Sequence, residues 1–227
     1  MTKPRYLVVF DVDGTLVDSQ DHILAAMSYA FGAQGLICPS KSDVLGIVGL
    51  SLPEALARLA PDHPAQTQSL LVEGYKAAFK NMREAGLPVA HAPLYPGALA
   101  TLHALAAQPE TLLGVATGKS RRGLDQLFLA HDLAGMFSTA QVADDHPSKP
   151  HPSMLRQCLR DTGVEGHNAV IVGDTEFDMQ MGVAAGFRTV GVAWGYHDTA
   201  RLYAAGAERV IDDFADLMPA LHDMMGD

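Results

Sequence analysis

Two aspartates one residue apart, Asp11 and Asp13, follow the apolar run Tyr6-Leu-Val-Val-Phe10 and precede Gly14-Thr15. Paired acids of this kind can divide a group transfer, one carboxylate attacking and the other moving a proton. Three further polar groups stand in comparable places. Thr117-Gly118 follows Leu112-Leu-Gly-Val-Ala116, Asp174 follows Ala169-Val-Ile-Val172 and Gly173, and Lys149 precedes Pro150-His-Pro152, where a helix should begin. Glu176 and Asp178 lie just beyond Asp174. Carboxylates delivered to one place repel one another unless a cation joins them. With no histidine or cysteine beside them, the donor set favours a hard ion, Mg²⁺ before Ca²⁺ or zinc. Thr117, the Gly118 amide and the helix start behind them suit a phosphate, and Lys149 supplies positive charge for a dianion. Together these groups describe phosphoryl transfer to a carboxylate, with Asp11 as the candidate nucleophile.

The groups can meet only if the elements before them end at one edge of a sheet. Residues 6–10 read as a short, fully buried strand. A helical period follows through Ile23, Leu24, Met27, Ala30 and Phe31, and helical patterns recur over Pro53–Leu59 and Thr67–Glu84, with no strand pattern before about Leu94. Strand and helix then alternate: helix 98–107, strand 112–116, helix 121–131, a short strand at 137–139, helix 153–162, strand 169–172, helix 177–185, and strands at 189–193 and 209–211. That alternation predicts an α/β fold, a doubly wound, Rossmann-like core with a mostly parallel sheet. The core should comprise residues 1–16 and 95–227, with an all-helical cap, residues 17–94, inserted after the first strand. Open sheets of this type bind ligands at the carboxyl ends of their strands, so the cap would lie over Asp11.

Asp11-Val-Asp13-Gly-Thr15, Thr117-Gly118-Lys119, Lys149-Pro150 and Gly173-Asp174-Thr-Glu-Phe-Asp178 resemble, in order, the four motifs of the haloacid dehalogenase-like hydrolases. The segments Ala116–Leu124, Lys149–Pro152 and Ala193-Trp-Gly-Tyr-His197 are most similar to the phosphoglycolate phosphatase-like subgroup. The resemblance implies that Asp11 attacks phosphorus and that Asp13 protonates the leaving group and later activates water. It implies that Thr117 and the Gly118 amide hold phosphoryl oxygens and that Lys149 stabilises Asp11 and the transferring group. Mg²⁺ would be held by Asp11, the carbonyl of Asp13 and Asp174, with Asp178 in support. An acid at position 13 marks phosphatases and mutases rather than dehalogenases. The expected reaction is Mg²⁺-dependent hydrolysis of a small, phosphoglycolate-like phosphomonoester. A phosphomutase is the alternative enzyme, and a phosphate-binding protein without turnover is the alternative outside catalysis.

Composition is consistent with that expectation. A net charge of −10 disfavours nucleic acid as a bulk partner but leaves room for a local cationic pocket. No stretch is long and apolar enough for a membrane span or signal segment, and Cys38 and Cys158 lack metal or disulfide spacing. A cytoplasmic protein with free buried thiols is expected, as a monomer or small homo-oligomer. Gly114-Val-Ala-Thr-Gly-Lys-Ser120 is one residue too short for a phosphate-binding P-loop, and Asp174–Ala185 lacks the turn glycine and final glutamate of a calcium loop. Asp178 has a second reading as a helix cap. Glu176, His146 and His151 read as solvated groups, and Gly49-Leu-Ser51-Leu and Arg83 as an ordinary loop and a surface arginine.

Overall fold

The computed structural model describes residues 6–85 and 92–225. The strands are β1 (Tyr6–Phe10), β2 (Thr111–Thr117), β3 (Thr139–Val142), β4 (Ala169–Gly173), β5 (Arg188–Val192) and β6 (Arg209–Ile211). They form one parallel sheet in the order β3-β2-β1-β4-β5-β6. The order reverses direction beside β1, and that switch point is where open parallel sheets leave a crevice.

The alternation of side chains along the strands divides the core into two faces. Val8, Phe10, Leu113, Val115, Val170 and Val172 share one apolar cluster with Leu102, Leu105, Leu124 and Leu221. The last four come from α5 (Ala98–Ala106), α6 (Arg121–Ala130) and α10 (Leu217–Met225). Leu7, Val9 and Ile171 point the other way, onto Met154, Leu155 and Cys158 of α7 (Ser153–Thr162) and Met181 of α8 (Glu176–Ala185). Each fully buried aliphatic side chain contributes about 1.5–3 kcal/mol relative to exposure, so both faces hold β1 at the centre of the sheet. A short helix α9 (Thr199–Ala204) completes the core.

Between β1 and α5 lie α1 (Gln20–Ala33), α2 (Lys41–Leu45), α3 (Leu52–Leu59) and α4 (Ala65–Glu84). Ile23, Met27, Phe31, Val44, Leu56 and Leu71 pack into a cluster distinct from both sheet faces. This helical block crosses to the core through Leu50 and Ala55, which contact Phe177. The Arg58 guanidinium also lies 5.4 Å from the centre of the Phe177 ring.

Two elements differ from their sequence expectation. The strand expected at Phe137–Thr139 is formed by Thr139–Val142, because pairing with Gly114–Thr117 selects the register. Helix α2 carries no long periodic signal; a reciprocal cap holds it, in which Asp43 N–H donates to Ser40 Oγ and Ser40 N–H donates to Asp43 Oδ2. Cys158 is buried and Cys38 only partly so, and both are free thiols. No described helix is long and apolar enough to cross a membrane.

Candidate active site

Parallel register brings the first two acids together. Phe10 pairs with Val172, and Asp11 N–H extends the ladder by donating to the Val172 carbonyl (2.9 Å). Asp11 and Asp174 therefore leave adjacent strands at the same edge. Asp178 joins them from the first turn of α8. Its N–H donates to Thr175 Oγ1 (3.3 Å), and its Oδ2 accepts from Thr175 N–H (3.1 Å) and Thr175 Oγ1 (2.6 Å). Asp178 is thus the returning partner of a capping box whose cap is Thr175, not the cap itself. One oxygen from each of Asp11, Asp174 and Asp178 lies within 4.8 Å of the other two, and all three side chains are buried.

Lys149 reaches this cluster from the loop before α7. Its Nζ lies 2.8 Å from Asp11 Oδ1 and 2.7 Å from Asp178 Oδ1, with the side chain fully buried. Burial alone would pull the lysine pKa down, but the charges of Asp11 and Asp178 outweigh it and hold the group above its ordinary value. Burial pushes the Asp11 carboxyl up to about 7 against the opposing pull of Lys149. Burial, followed by the charges of Asp11 and Asp178, also raises Asp174 well above the carboxylate range.

The three carboxylates differ in how they are held. Asp174 accepts from Thr15 Oγ1 (3.0 Å) and Tyr196 N–H (2.8 Å), one donor for each oxygen. Asp178 is held by Lys149 and Thr175. Neither oxygen of Asp11 has an aligned hydrogen-bond donor, although Lys149 is within ion-pair distance. Such orphaned buried oxygens are costly unless a ligand meets them. Three buried acids facing one ammonium, with oxygen donors only, fit a hard divalent cation such as Mg²⁺.

Asp13 points elsewhere. Its Oδ1 accepts from Ser19 Oγ and from Lys119 Nζ (2.6 Å), and Ser19 Oγ lies 3.3 Å from the Tyr196 hydroxyl. Thr117 ends β2, fully buried, and its Oγ1 accepts from Lys119 N–H (3.2 Å). At Gly118 a β-carbon would fall 2.7 Å from the Leu50 carbonyl and 2.8 Å from that of Gly49. The loop expected to be ordinary, Gly49-Leu-Ser51-Leu, is therefore seated on Gly118. Ser51 N–H also donates to Ser148 Oγ (2.8 Å), beside Lys149.

Other expectations need correction. Glu176 is partly buried and paired with Arg201. His146 is partly buried and held on both ring nitrogens: it bridges Gln141 Oε1 and Ser153 Oγ, both at 2.9 Å. His151 is exposed, as expected. The side chain of Arg83 lies outside the described residues. Residues not singled out by spacing also shape the site: Thr15, Ser19, Lys119, Thr175 and Tyr196. Thr175 had a readable signal in Thr-x-x-Asp, whereas Tyr196 reaches Asp174 only through the fold.

Residues 8–192 match the family model described as haloacid dehalogenase-like hydrolase. The chain is 33% identical over 222 residues to a protein of Dickeya dadantii named "Probable phosphatase IndB", covering 96% of this chain and 94% of that one. It is 34% identical over 218 residues to a phosphoglycolate phosphatase of Rhodospirillum rubrum, covering 92% and 88%. The fold matches the crystal structure of a predicted phosphatase from Clostridium acetobutylicum with a TM-score of 0.85 at 22% identity, covering 97% and 100%. The chain belongs to the haloacid dehalogenase-like hydrolase family, within its phosphoglycolate phosphatase-like subgroup, and is an enzyme of the phosphatase type.

Proposed function

We propose that the protein is a Mg²⁺-dependent cytoplasmic phosphatase that hydrolyses a small phosphomonoester, phosphoglycolate-like in type, through an aspartyl phosphate on Asp11. One observation carries this reading: among the three clustered acids Asp11 alone keeps an oxygen, Oδ2, with no donor or cation against it, its Oδ1 facing only Lys149. A nucleophile needs an uncommitted lone pair, whereas Asp174 and Asp178 are fixed by donors as positioned ligands are.

In this reading Asp11, the Asp13 carbonyl and Asp174 hold Mg²⁺, with Asp178 in support. The bound ion neutralises charge on the phosphoryl oxygens. Thr117 and the Gly118 amide orient those oxygens, and Lys149 balances the charge of Asp11 and of the transferring group. Asp11 attacks phosphorus while Asp13 gives a proton to the departing alkoxide. Asp13 then takes a proton from water as that water attacks the phosphorus and frees Asp11. Residues 17–94 act as a cap that shields these steps from solvent. The loop from Gly49, against Gly118, supports that role.

Release of inorganic phosphate from a panel of phosphomonoesters with Mg²⁺ tests the reading, with Asp11→Asn as the control. Wild type should turn over and Asp11→Asn should remain folded and inactive. Retained activity in that variant excludes Asp11 as nucleophile. Interconversion of sugar phosphates without phosphate release identifies a mutase, and ligand binding without either reaction identifies a binder.

A further inference from the structure

Lys119 touches one of the reacting groups and has no part in the chemistry so far. Its backbone is held on both sides: the N–H donates to Thr117 Oγ1 (3.2 Å), and the carbonyl accepts from Ala143 N–H (3.1 Å). From that fixed base the side chain crosses from the end of β2 to the loop after β1 and places Nζ 2.6 Å from Asp13 Oδ1. The pair is largely shielded, with side chains 20% and 13% exposed, so water screens it less than it would a surface ion pair. Ser19 Oγ donates to the same oxygen. Among the described residues Asp13 Oδ2 has no donor at all. Both anchors therefore converge on one oxygen and leave the other open.

We propose that Lys119 is a positioning residue for hydrolysis. By clasping Oδ1 it fixes the Asp13 carboxyl plane so that Oδ2 is the oxygen that delivers and receives the proton. This inference rests on the reading of Asp13 as the acid–base group. In the first half-reaction the Asp11–phosphorus bond forms and the bond from phosphorus to the leaving oxygen breaks. The proton on Oδ2 passes to that oxygen, which departs as the alcohol. In the second half-reaction Oδ2 takes a proton from water. The water oxygen bonds to phosphorus, and the Asp11–phosphorus bond breaks to give inorganic phosphate. A carboxyl free to rotate would offer Oδ2 in only a fraction of encounters, and acid–base help would be lost in proportion.

Leaving-group dependence provides the test, because a good leaving group needs no proton while a poor one does. The holoenzyme with Mg²⁺ is assayed on the alkyl phosphomonoester of the panel that it hydrolyses fastest and on 2,4-dinitrophenyl phosphate. Lys119→Met should lower kcat/KM for the alkyl ester by about 10²-fold, the lower end of what acid–base catalysis supplies, and lower it far less for the dinitrophenyl ester, because kcat/KM reports the transfer to Asp11 and leaves out the later step with water that both esters share. KM for the alkyl ester should stay close to that of wild type. Lys119→Arg, which keeps a cation there, should recover most of the loss. The ratio of the two rates does not depend on the folded fraction, since the same molecules hydrolyse both esters. Lys119→Gln gives the same readout if the methionine variant does not accumulate. Equal losses of kcat/KM on both esters, or a change in KM alone, overturn the proposal. Asp13→Asn separates the two levels of failure. If it shows leaving-group dependence and Lys119→Met does not, only the clasp is wrong. If Asp13→Asn shows none, or wild type releases no phosphate, the acid–base reading fails and the clasp with it.

Discussion

A β-carbon on Gly14 would fall 2.2 Å from Oδ2 of Asp174. The backbone at Gly14 is in the left-handed region, with φ of 86°, so glycine is required there for conformation as well as for space. The turn after Asp11-Val-Asp13 can therefore press directly on an acid supplied by a strand more than 150 residues later.

Gly14→Ala should displace Asp174 and strain the turn together. The strain costs about 1–3 kcal/mol. A shift of the acid by about 1 Å is enough to lower turnover by about 10²-fold. Urea unfolding and steady-state kinetics against Mg²⁺ concentration check both effects. Wild-type kinetics in this variant would show that Asp174 does not need its present position.

Lys149→Met removes the ammonium that faces Asp11 and Asp178 and leaves the acids uncompensated. Breaking a buried pair in this way costs about 3–5 kcal/mol, a large share of a domain's stability. Phosphatase activity should disappear as well. Denaturant midpoints of the metal-free protein measure the first effect. A variant as stable as wild type would mean that the acids accept protons at little cost.

Mg²⁺ should stabilise the folded protein through the three acids, since the unfolded chain does not bring them together. At a hundredfold excess over Kd the gain is about 2.7 kcal/mol, visible as a rise in Tm without any substrate. Asp174→Asn should reduce that rise sharply. A Tm indifferent to Mg²⁺ in wild type would remove the ion from the mechanism.

His197 should make stability fall in mild acid. It is buried, its Nδ1 accepts from Glu176 N–H (3.1 Å), and its Nε2 donates to the Gly46 carbonyl in the helical block (3.2 Å). Burial, and then the charge of Arg201, hold its pKa below the ordinary 6.5. The unfolded chain takes up the proton first. This stabilisation is therefore full above about pH 6.5 and is lost as pH falls through that value toward the folded pKa. Urea midpoints between pH 7.5 and 5 should decline less steeply for His197→Gln than for wild type, and identical slopes would exclude the histidine.

Much of this protein can be read locally. The apolar run before Asp11, the alternation of strand and helix after Leu94, and the position of each motif at a strand or helix end follow from periodicity and turn chemistry, which depend on neighbours in sequence. Which polar residues stand at the ends of strands and helices was legible for the same reason. Spacing could not show how the acids differ, because the donors that separate them come from distant segments: Thr15 and Tyr196 hold Asp174, and Thr175 and Lys149 hold Asp178. Parallel pairing of β1 with β4 and the return of the loop after β5 create those contacts. The same long-range packing turned Asp13 toward Lys119, seated Gly49 on Gly118 and left Asp11 Oδ2 without a partner. Sequence by itself determined which chemical groups the chain offers at the sheet edge. Only tertiary structure decided which of them are committed to partners and which remain free to react.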